Sequence, residues 1–529
     1  MKYLLAFIIS GMIYCKLYAV QVSHAYLGQY SPAWRQEALQ RIEDIRKGIL
    51  TIRLVNRYDE PIDGAQLEIN MRRHDFGFGT AVSSDLLFQD SENARRYRQE
   101  LENLAGKERS FNIVTLENAL KWPSWENEGL WGTRERAQQA VEWFIQRDIK
   151  VRGHNLIWPN WDYLPPDMRA GQHDPEFLKD RIQNHILDEA SYPGLSGFIA
   201  EWDVLNEIYH NTDLHKVFGS NDIYADCFRW AAIADPQARL YLNENDIITS
   251  RGDSTSRRCL HANINHLLRA KTPLHGIGFQ GHMGKDQTPP DVVLDILDQF
   301  SEYGLEISIT EYDAVGANEE RAADDMRDLL VAVYSHPQAR NFIMWGFWDG
   351  AHWKGDSPIF REDWSLKPAG AVFLDLVFEK WWTKTNGLTD ENGLFNASCF
   401  FGDYEILVSF KDQTKLINYT FIDTSRTLTI KLDTDENMVQ PPDLFRLLKI
   451  APNPFNQGTS VHYILPERAP VTIDLYDLCG RRIKRLREKV QAAGRHEIRI
   501  DAFGLASGVY YLHMFSGRKR RVEKLLLVR

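Results

Sequence analysis

Trp202-Asp203-Val204-Leu205-Asn206-Glu207 reads as a buried strand, WDVL, closed by a polar pair at its tip. The residues before it, Gly197 to Glu201, add strand character, and Ile208 to Lys216 reads as a loop. A Glu at the C-terminal end of a buried parallel strand, beside an Asn able to hydrogen-bond hydroxyls, stands where a (β/α)8 barrel carries its catalytic groups. The other reading is a strand-end carboxylate that only caps the next helix. Six residues leave the two readings level, so the rest of the chain has to decide.

On both sides of this stretch the sequence alternates strand, loop and helix. Strand candidates are 76–82, 111–117, 150–158, 198–207, 239–246, 276–282, 305–313 and 341–349, and helical stretches such as 134–147, 291–304 and 321–336 lie between them. Eight strands alternating with helices at this spacing predict a closed parallel barrel over 74–384. An open doubly wound sheet is the alternative, but no Gly-rich phosphate loop opens any of the helices. Before the barrel, 28–46 reads as a helix or linker, and residues 50–71 alternate as two strands around the turn Asp59-Glu60-Pro61. After Trp382 the strand grammar returns, with the turn Asp390-Glu391-Asn392-Gly393 between alternating runs. Phe400, Phe401 and Tyr404 alternate poorly for a binding face and are expected in the core. Gln440-Pro441-Pro442 marks a further joint, and the tail beyond it is a run of short strands consistent with a small sandwich.

The chain has 529 residues and a formal charge of −11, which argues against nucleic acid as a partner. The charge is uneven: the last 87 residues carry +9 and the rest −20. Fifteen Trp, concentrated before position 385, exceed ordinary core needs, and Trp faces serve as stacking platforms for sugar rings. The start, MKYLLAFIISGMIYCKLYA, reads as a secretory signal peptide over 1–19, with cleavage after Ala19 or Ala25. Beyond it stand Cys227, Cys259, Cys399 and Cys479, with no C-x-x-C pair and so no expected zinc site. Cys227 and Cys259 fall in successive predicted helices and could be bridged in an oxidising compartment.

A second strand-end carboxylate answers the first. Glu311 ends the seventh predicted strand in Ile309-Thr310-Glu311-Tyr312-Asp313, across the barrel mouth from Glu207 at the end of the fourth. Glycoside cleavage with retention needs two carboxyl groups about 5–5.5 Å apart, one a nucleophile and one an acid/base. With WDVLNE and ITEYD in these places, the barrel resembles glycoside hydrolase family 10, the endo-β-1,4-xylanases. The resemblance implies that Glu207 is the general acid/base and Glu311 the nucleophile. It also implies that Glu207 is kept protonated by a nearby ionised Glu311. Further residues match the family's pattern. Glu117, Asn118, Lys121 and Trp122 in ENALKW resemble its glycone-side binders, and Arg152-Gly153-His154 with Trp158 its R-G-H-x-x-x-W. Gln280 and His282 in GIGFQGH resemble residues that contact the sugar at the reaction centre and the nucleophile, with Asp313 placed to orient His282. Trp345 and Trp353, with Asp349 between them, resemble the pair whose rings line the cleft. Asn206 is implied as the ligand of the 2-hydroxyl, and Asp203 as a supporting residue. Any one of these alone is more often a packing residue; their joint order at strand ends carries the resemblance.

Two departures stand out. After Trp158 the family continues His-x-Gln, where this chain has Pro159, Asn160 and Trp161. After the fifth strand it has Asn-Asp-Tyr-Asn, where this chain reads NEND and Asn245 replaces an aromatic. Both bear on the subsites and not on the carboxylates.

The flanking β regions resemble the two halves of a carboxypeptidase-regulatory-like, transthyretin-like sandwich, through DEPIDGA at 59–65, TDENGLF at 389–395 and GDYEI at 402–406. The expected organisation is a first half at 47–73, the barrel at 74–384, a second half at 385–436 and a linker at 437–448. Strands from 49–71 should then pair with strands from 388–432. The tail, 449–529, resembles the C-terminal sorting domain of type IX secretion cargo, through NPFN, YILP, LYDLCGR, AGRH, SGVYY and KLLLVR. Together these readings imply a secreted, monomeric, retaining endo-β-1,4-xylanase with xylan or a related β-1,4-linked polysaccharide as substrate. The secretion machinery is the implied protein partner, and no cofactor or metal is required. A retaining β-glucanase on the same barrel, or a non-catalytic glycan-binding surface protein, are the alternatives.

Overall fold

The computed structural model describes residues 33–528, apart from 107–108, 127–132, 250–253, 285–286, 412, 423, 433–445, 466–467, 479–480, 493 and 517–518. The expected signal peptide and Cys479 lie outside the described residues. So does most of the expected linker, whose last residues belong instead to a strand that begins at Arg446. The chain divides into two units, residues 1–432 and 433–529.

The described residues of the first unit begin with a helix, Ala33–Ile45, followed by β1 (Lys47–Val55) and β2 (Gln66–His74). Eight parallel strands then form the barrel: β3 (Gly77–Val82), β4 (Ile113–Leu116), β5 (Lys150–Ile157), β6 (Ile199–Asn206), β7 (Arg239–Glu244), β8 (Gly276–Phe279), β10 (Glu306–Ala314) and β11 (Ala339–Met344). A two-residue strand, β9 (His282–Met283), pairs only with the end of β10. Closure is direct, because β11 pairs with β3 on one side and with β10 on the other. Burial explains the sequence of these strands. Each has the helices outside and the packed interior inside, so β3, β4 and most of β6 are buried along their whole length and need not alternate. The helices between them start at polar caps: the side chains of Ser91, Thr133, Asp174 and Asn318 each accept from a backbone N–H in the first turn.

β12 (Lys384–Leu388), β13 (Leu394–Phe400), β14 (Gly402–Phe410), β15 (Gln413–Phe421) and β16 (Ser425–Lys431) follow the barrel. They form two sheets with the strands that precede it, in the orders β13-β1-β16 and β12-β2-β14-β15. The expected pairing across the barrel is therefore present: Leu50 faces Ala397 and Arg426, and Ile69 faces Thr385 and Ile406. Inward positions alternate as Leu50, Ile52 and Leu54 on β1, Leu67, Ile69 and Met71 on β2, and Tyr404, Ile406 and Val408 on β14, all in one continuous core. Phe400 and Tyr404 are buried and Phe401 packs against them, as expected of core residues.

The second unit has its own core. Its strands are β17 (Arg446–Ala451), β18 (Gly458–Leu465), β19 (Ala469–Tyr476), β20 (Arg482–Gln491), β21 (Gly494–Asp501), β22 (Gly508–Ser516) and β23 (Lys519–Leu527). They form the sheets β17-β18-β21 and β20-β19-β22-β23. Val461, Tyr463, Val471, Ile473, Leu512, Met514 and Leu525 bury the inner faces.

Candidate active site

The C-terminal ends of the barrel strands open into a cleft of about 630 Å³. It is lined by Glu117, Asn118, Lys121, His154, Trp158, Asn206, Glu207, Gln280, His282, Glu311, Asp313, Trp345 and Trp353, and by residues the sequence did not single out, Tyr163 and Asp246 among them. Asp203 stands below the cleft rather than on its wall. Trp122, read as a glycone-side binder, is placed elsewhere. It is 1% exposed and stacks on the His185 ring at 3.9 Å, because the short helix Trp122–Glu126 turns it into the core.

Beneath the floor lies a charged layer. Arg152 on β5 is fully buried and pairs with Asp203 and Glu201 of β6, while its guanidinium lies 4.4 Å from the Tyr241 ring centroid. Asp203 also accepts from His154 Nδ1 at 2.9 Å, which aims the imidazole at the cleft. Gly153 between them has a steric reason: a Cβ there would stand 2.2 Å from the Trp202 ring. Burial raises the Asp203 carboxyl, yet Arg152 and His154 outweigh it and hold the group below its ordinary range. Arg152→Ala removes the cation from two buried carboxylates, and the expected cost is about 3–5 kcal/mol of stability. Urea unfolding measures it; a loss under about 1 kcal/mol would show that water replaces the guanidinium.

The two carboxylates sit in one hydrogen-bonded frame. Glu207 follows β6 with its backbone at φ +54°, a region that strains a residue with a side chain. Gln280 Nε2 donates to Glu207 Oε1 at 2.7 Å, and Asn211 Nδ2 donates to Oε2 at 3.2 Å. Glu311, on β10 and 4% exposed, accepts from Asn243 Nδ2 at 2.8 Å and from His282 Nε2 at 3.1 Å. Asn243 also donates to Asn206 Oδ1 at 2.9 Å, so one amide on β7 ties the tip of β6 to the tip of β10. Gly278 on β8 leaves room for that amide, since a Cβ there would stand 2.2 Å from Asn243 Oδ1. His282 is in turn held by Asp313, whose Oδ2 accepts from His282 Nδ1 at 2.9 Å and from Trp353 Nε1 at 2.8 Å. Asn206 Nδ2 is buried and has no hydrogen-bond partner among the described residues, which leaves a donor free for a ligand.

The same frame separates the two carboxyl groups electrostatically. Burial pushes Glu207 above its ordinary range; the Gln280 hydrogen bond opposes this, and Glu311 pushes it up further. Burial is thus the larger cause, where the sequence pointed to Glu311, because the strand tip places the carboxyl deeper than sequence can show. Glu311 moves the other way. Burial raises it, but the His282 hydrogen bond and the nearby imidazoles outweigh burial and leave it lowered. Burial also opposes protonation of His282, yet Asp313 and Glu311 together raise it to about 10, so both ring nitrogens donate at neutral pH. One acid that keeps its proton beside one that has lost it is the arrangement a general acid and a nucleophile require.

Sequence reasoning missed Asn243, Asn211, Tyr163 and Glu244. Asn243 had a legible signal, a polar residue one step from the tip of an otherwise apolar barrel strand. Tyr163 stacks on Trp158 with centroids 3.7 Å apart, and nothing in its loop announces this. Glu244 is fully buried and accepts from the Tyr209 backbone at 3.0 Å, bracing the loop after Glu207 from below. Cys227 and Cys259 are free thiols.

The family model for glycosyl hydrolase family 10 matches residues 69–375. The model for the secretion system C-terminal sorting domain matches 449–528. The chain is 33% identical, over 73% of its length, to Anti-sigma-I factor RsgI6 of Acetivibrio thermocellus, and spans 48% of that protein. It is 25% identical, over 74% of its length, to Endo-1,4-beta-xylanase 1 of Arabidopsis thaliana, and spans 40% of it. The chain thus spans about half or less of these curated relatives. The crystal structure of xylanase 10B from Thermotoga petrophila RKU-1, in complex with xylobiose, is similar with a TM-score of 0.51 at 25% identity, covering 58% of this chain and 95% of that one.

Proposed function

Because the chain belongs to glycosyl hydrolase family 10, we propose that it is a secreted, retaining endo-β-1,4-xylanase. The observation that carries the reading is the pair Glu207 and Glu311, just after the fourth barrel strand and near the C-terminal end of the seventh, and shifted in opposite directions. Xylan is supported as substrate by relatives named as endo-1,4-β-xylanases and by the xylobiose complex of a similar structure. Ionised Glu311 attacks the anomeric carbon while Glu207 gives its proton to the departing glycosidic oxygen. Glu207 then takes a proton from the water that releases the glycosyl-enzyme. Asn206 Nδ2 is placed for the 2-hydroxyl, a contact that strengthens as positive charge develops on the ring. His282 holds Glu311, and Trp158, Trp345 and Trp353 offer ring faces to the sugars.

The tail over 449–528 supports export by the type IX route, with the secretion machinery as partner. The strands of 47–73 and 385–436 are read as one sandwich around the barrel, on the strength of their shared ladders. The similarity to a protein named as an anti-sigma factor keeps the non-catalytic alternative in play. Time-resolved NMR of products from xylan, mixed-linkage glucan and cellulose separates the readings. Xylo-oligosaccharides released first in the β configuration are expected. Release of the α anomer would refute retention, products from glucan alone would point to a β-glucanase, and binding without any product would support the non-catalytic reading.

A further inference from the structure

The departure from the family pattern after Trp158 faces the loop that follows Glu207. Three hydrogen bonds join the two segments. The Asp213 backbone N–H donates to the Pro159 carbonyl at 3.1 Å, the Trp161 N–H donates to Asp213 Oδ2 at 3.1 Å, and Asn160 Nδ2 donates to Asn211 Oδ1 at 2.9 Å. Asn211, only 5% exposed, passes this hold to the carboxyl group. Its Nδ2 donates to Glu207 Oε2 at 3.2 Å and to the Glu207 carbonyl at 2.9 Å, and its backbone N–H donates to the same carbonyl at 3.0 Å. Glu207 therefore has an amide donor on each carboxyl oxygen, Gln280 on one and Asn211 on the other.

We propose that Asn211, anchored by Asn160, is a positioning residue that fixes the plane of the Glu207 carboxyl group against the glycosidic oxygen. The proposal rests on the retaining xylanase reading and adds a residue to it. The chemistry asks for such a device here. Glu207 stands on a strained backbone turn, and its carboxyl is gripped from both sides by the amides of Gln280 and Asn211. As Glu207 gives up its proton, negative charge grows on the carboxyl, and an amide already aimed at it stabilises that charge without reorganisation. Pro159, Asn160 and Trp161 thus have a function in common: they fasten the loop that carries Asn211.

The test compares wild type, Asn211→Ala, Asn211→Asp and Asn160→Ala on xylan and on an aryl β-xylobioside with a dinitrophenolate leaving group, which needs no protonation. Asn211→Ala is expected to lose about tenfold or more in kcat on xylan with KM nearly unchanged, and to keep kcat/KM on the activated substrate within about twofold. Asn160→Ala is expected to show the same selectivity with a loss of about threefold, and it carries the test if Asn211→Ala does not fold. Asn211→Asp sets a second carboxylate beside Glu207, disfavours its ionisation and moves the alkaline limb of the xylan pH profile upward. Equal losses on both substrates, or an alkaline limb that Asn211→Asp leaves in place, would overturn the proposal. A wild-type protein inactive on both substrates would instead overturn the xylanase reading beneath it.

Discussion

Glu311→Ala is expected to abolish turnover of xylan, with a loss in kcat on the order of 10⁴-fold or more. The size follows from what the side chain does. Under the proposed mechanism no covalent intermediate forms without it, and water without an activating base is a weak nucleophile at the anomeric carbon. Loss should be equal on xylan and on activated aryl xylosides, since both need the nucleophile. Azide, small enough to enter the vacated space, should attack in its place and give a product of inverted configuration. A variant that retains activity within about tenfold of wild type would show that another group is the nucleophile. The pH profile carries the same information from the acid side. Glu311 must be ionised, and its lowered position puts the acid limb below the ordinary Glu range, with activity lost as pH falls through it.

Glu207→Ala should discriminate between substrates. On xylan, whose leaving alkoxide needs a proton, the expected loss is about 10²–10⁴-fold. On a dinitrophenyl xylobioside, kcat/KM should fall less than about tenfold, while kcat falls further because the second step has lost its base. The glycosyl-enzyme should then accumulate and appear as a burst of dinitrophenolate. Wild-type activity requires Glu207 protonated, so with its raised position activity is present at lower pH and lost as pH rises through that value. This alkaline limb should disappear in the variant. His282 does not set it, since it stays protonated to about 10. Equal losses on both substrates, or an alkaline limb that persists without Glu207, would refute the acid assignment.

Both carboxylates were legible in the sequence because each stands at or near the C-terminal end of a strand in a run, WDVLNE or ITEYD, that joins an apolar part to a polar one, although β10 runs on past Glu311 to Ala314. The barrel was legible for the same reason, from the regular alternation of buried strands and helices. What stayed hidden depends on direction and depth. Trp122 looked like its neighbours Lys121 and Asn118, but the side of a five-residue helix that faces inward cannot be read from five residues. Asn211 lies in a loop without periodicity, and its value comes from Asn160, 51 residues away. The cause of the Glu207 shift was misjudged because sequence gives the charge of a neighbour but not how much water remains. β15 was not singled out, since its inward and outward positions both carry polar residues.

The ladders that cross the barrel also set an order of events on the ribosome. Thr51 bonds to Asn396, 345 residues later in the chain. At a synthesis rate of about 5–20 residues per second, β1 and β2 wait roughly 15–70 seconds for their partners. Meanwhile β11 has to find β3, which lies immediately after β2. The flanking sheets therefore cannot be completed before the whole barrel has been synthesised, since β12 to β16 follow β11 in the chain. A chain cut short within the barrel keeps β1 and β2 as open strand edges, the kind of surface that quality control and aggregation both recognise. The sandwich is in this sense a completion seal: its hydrogen bonds exist only in a molecule whose catalytic barrel has been made in full.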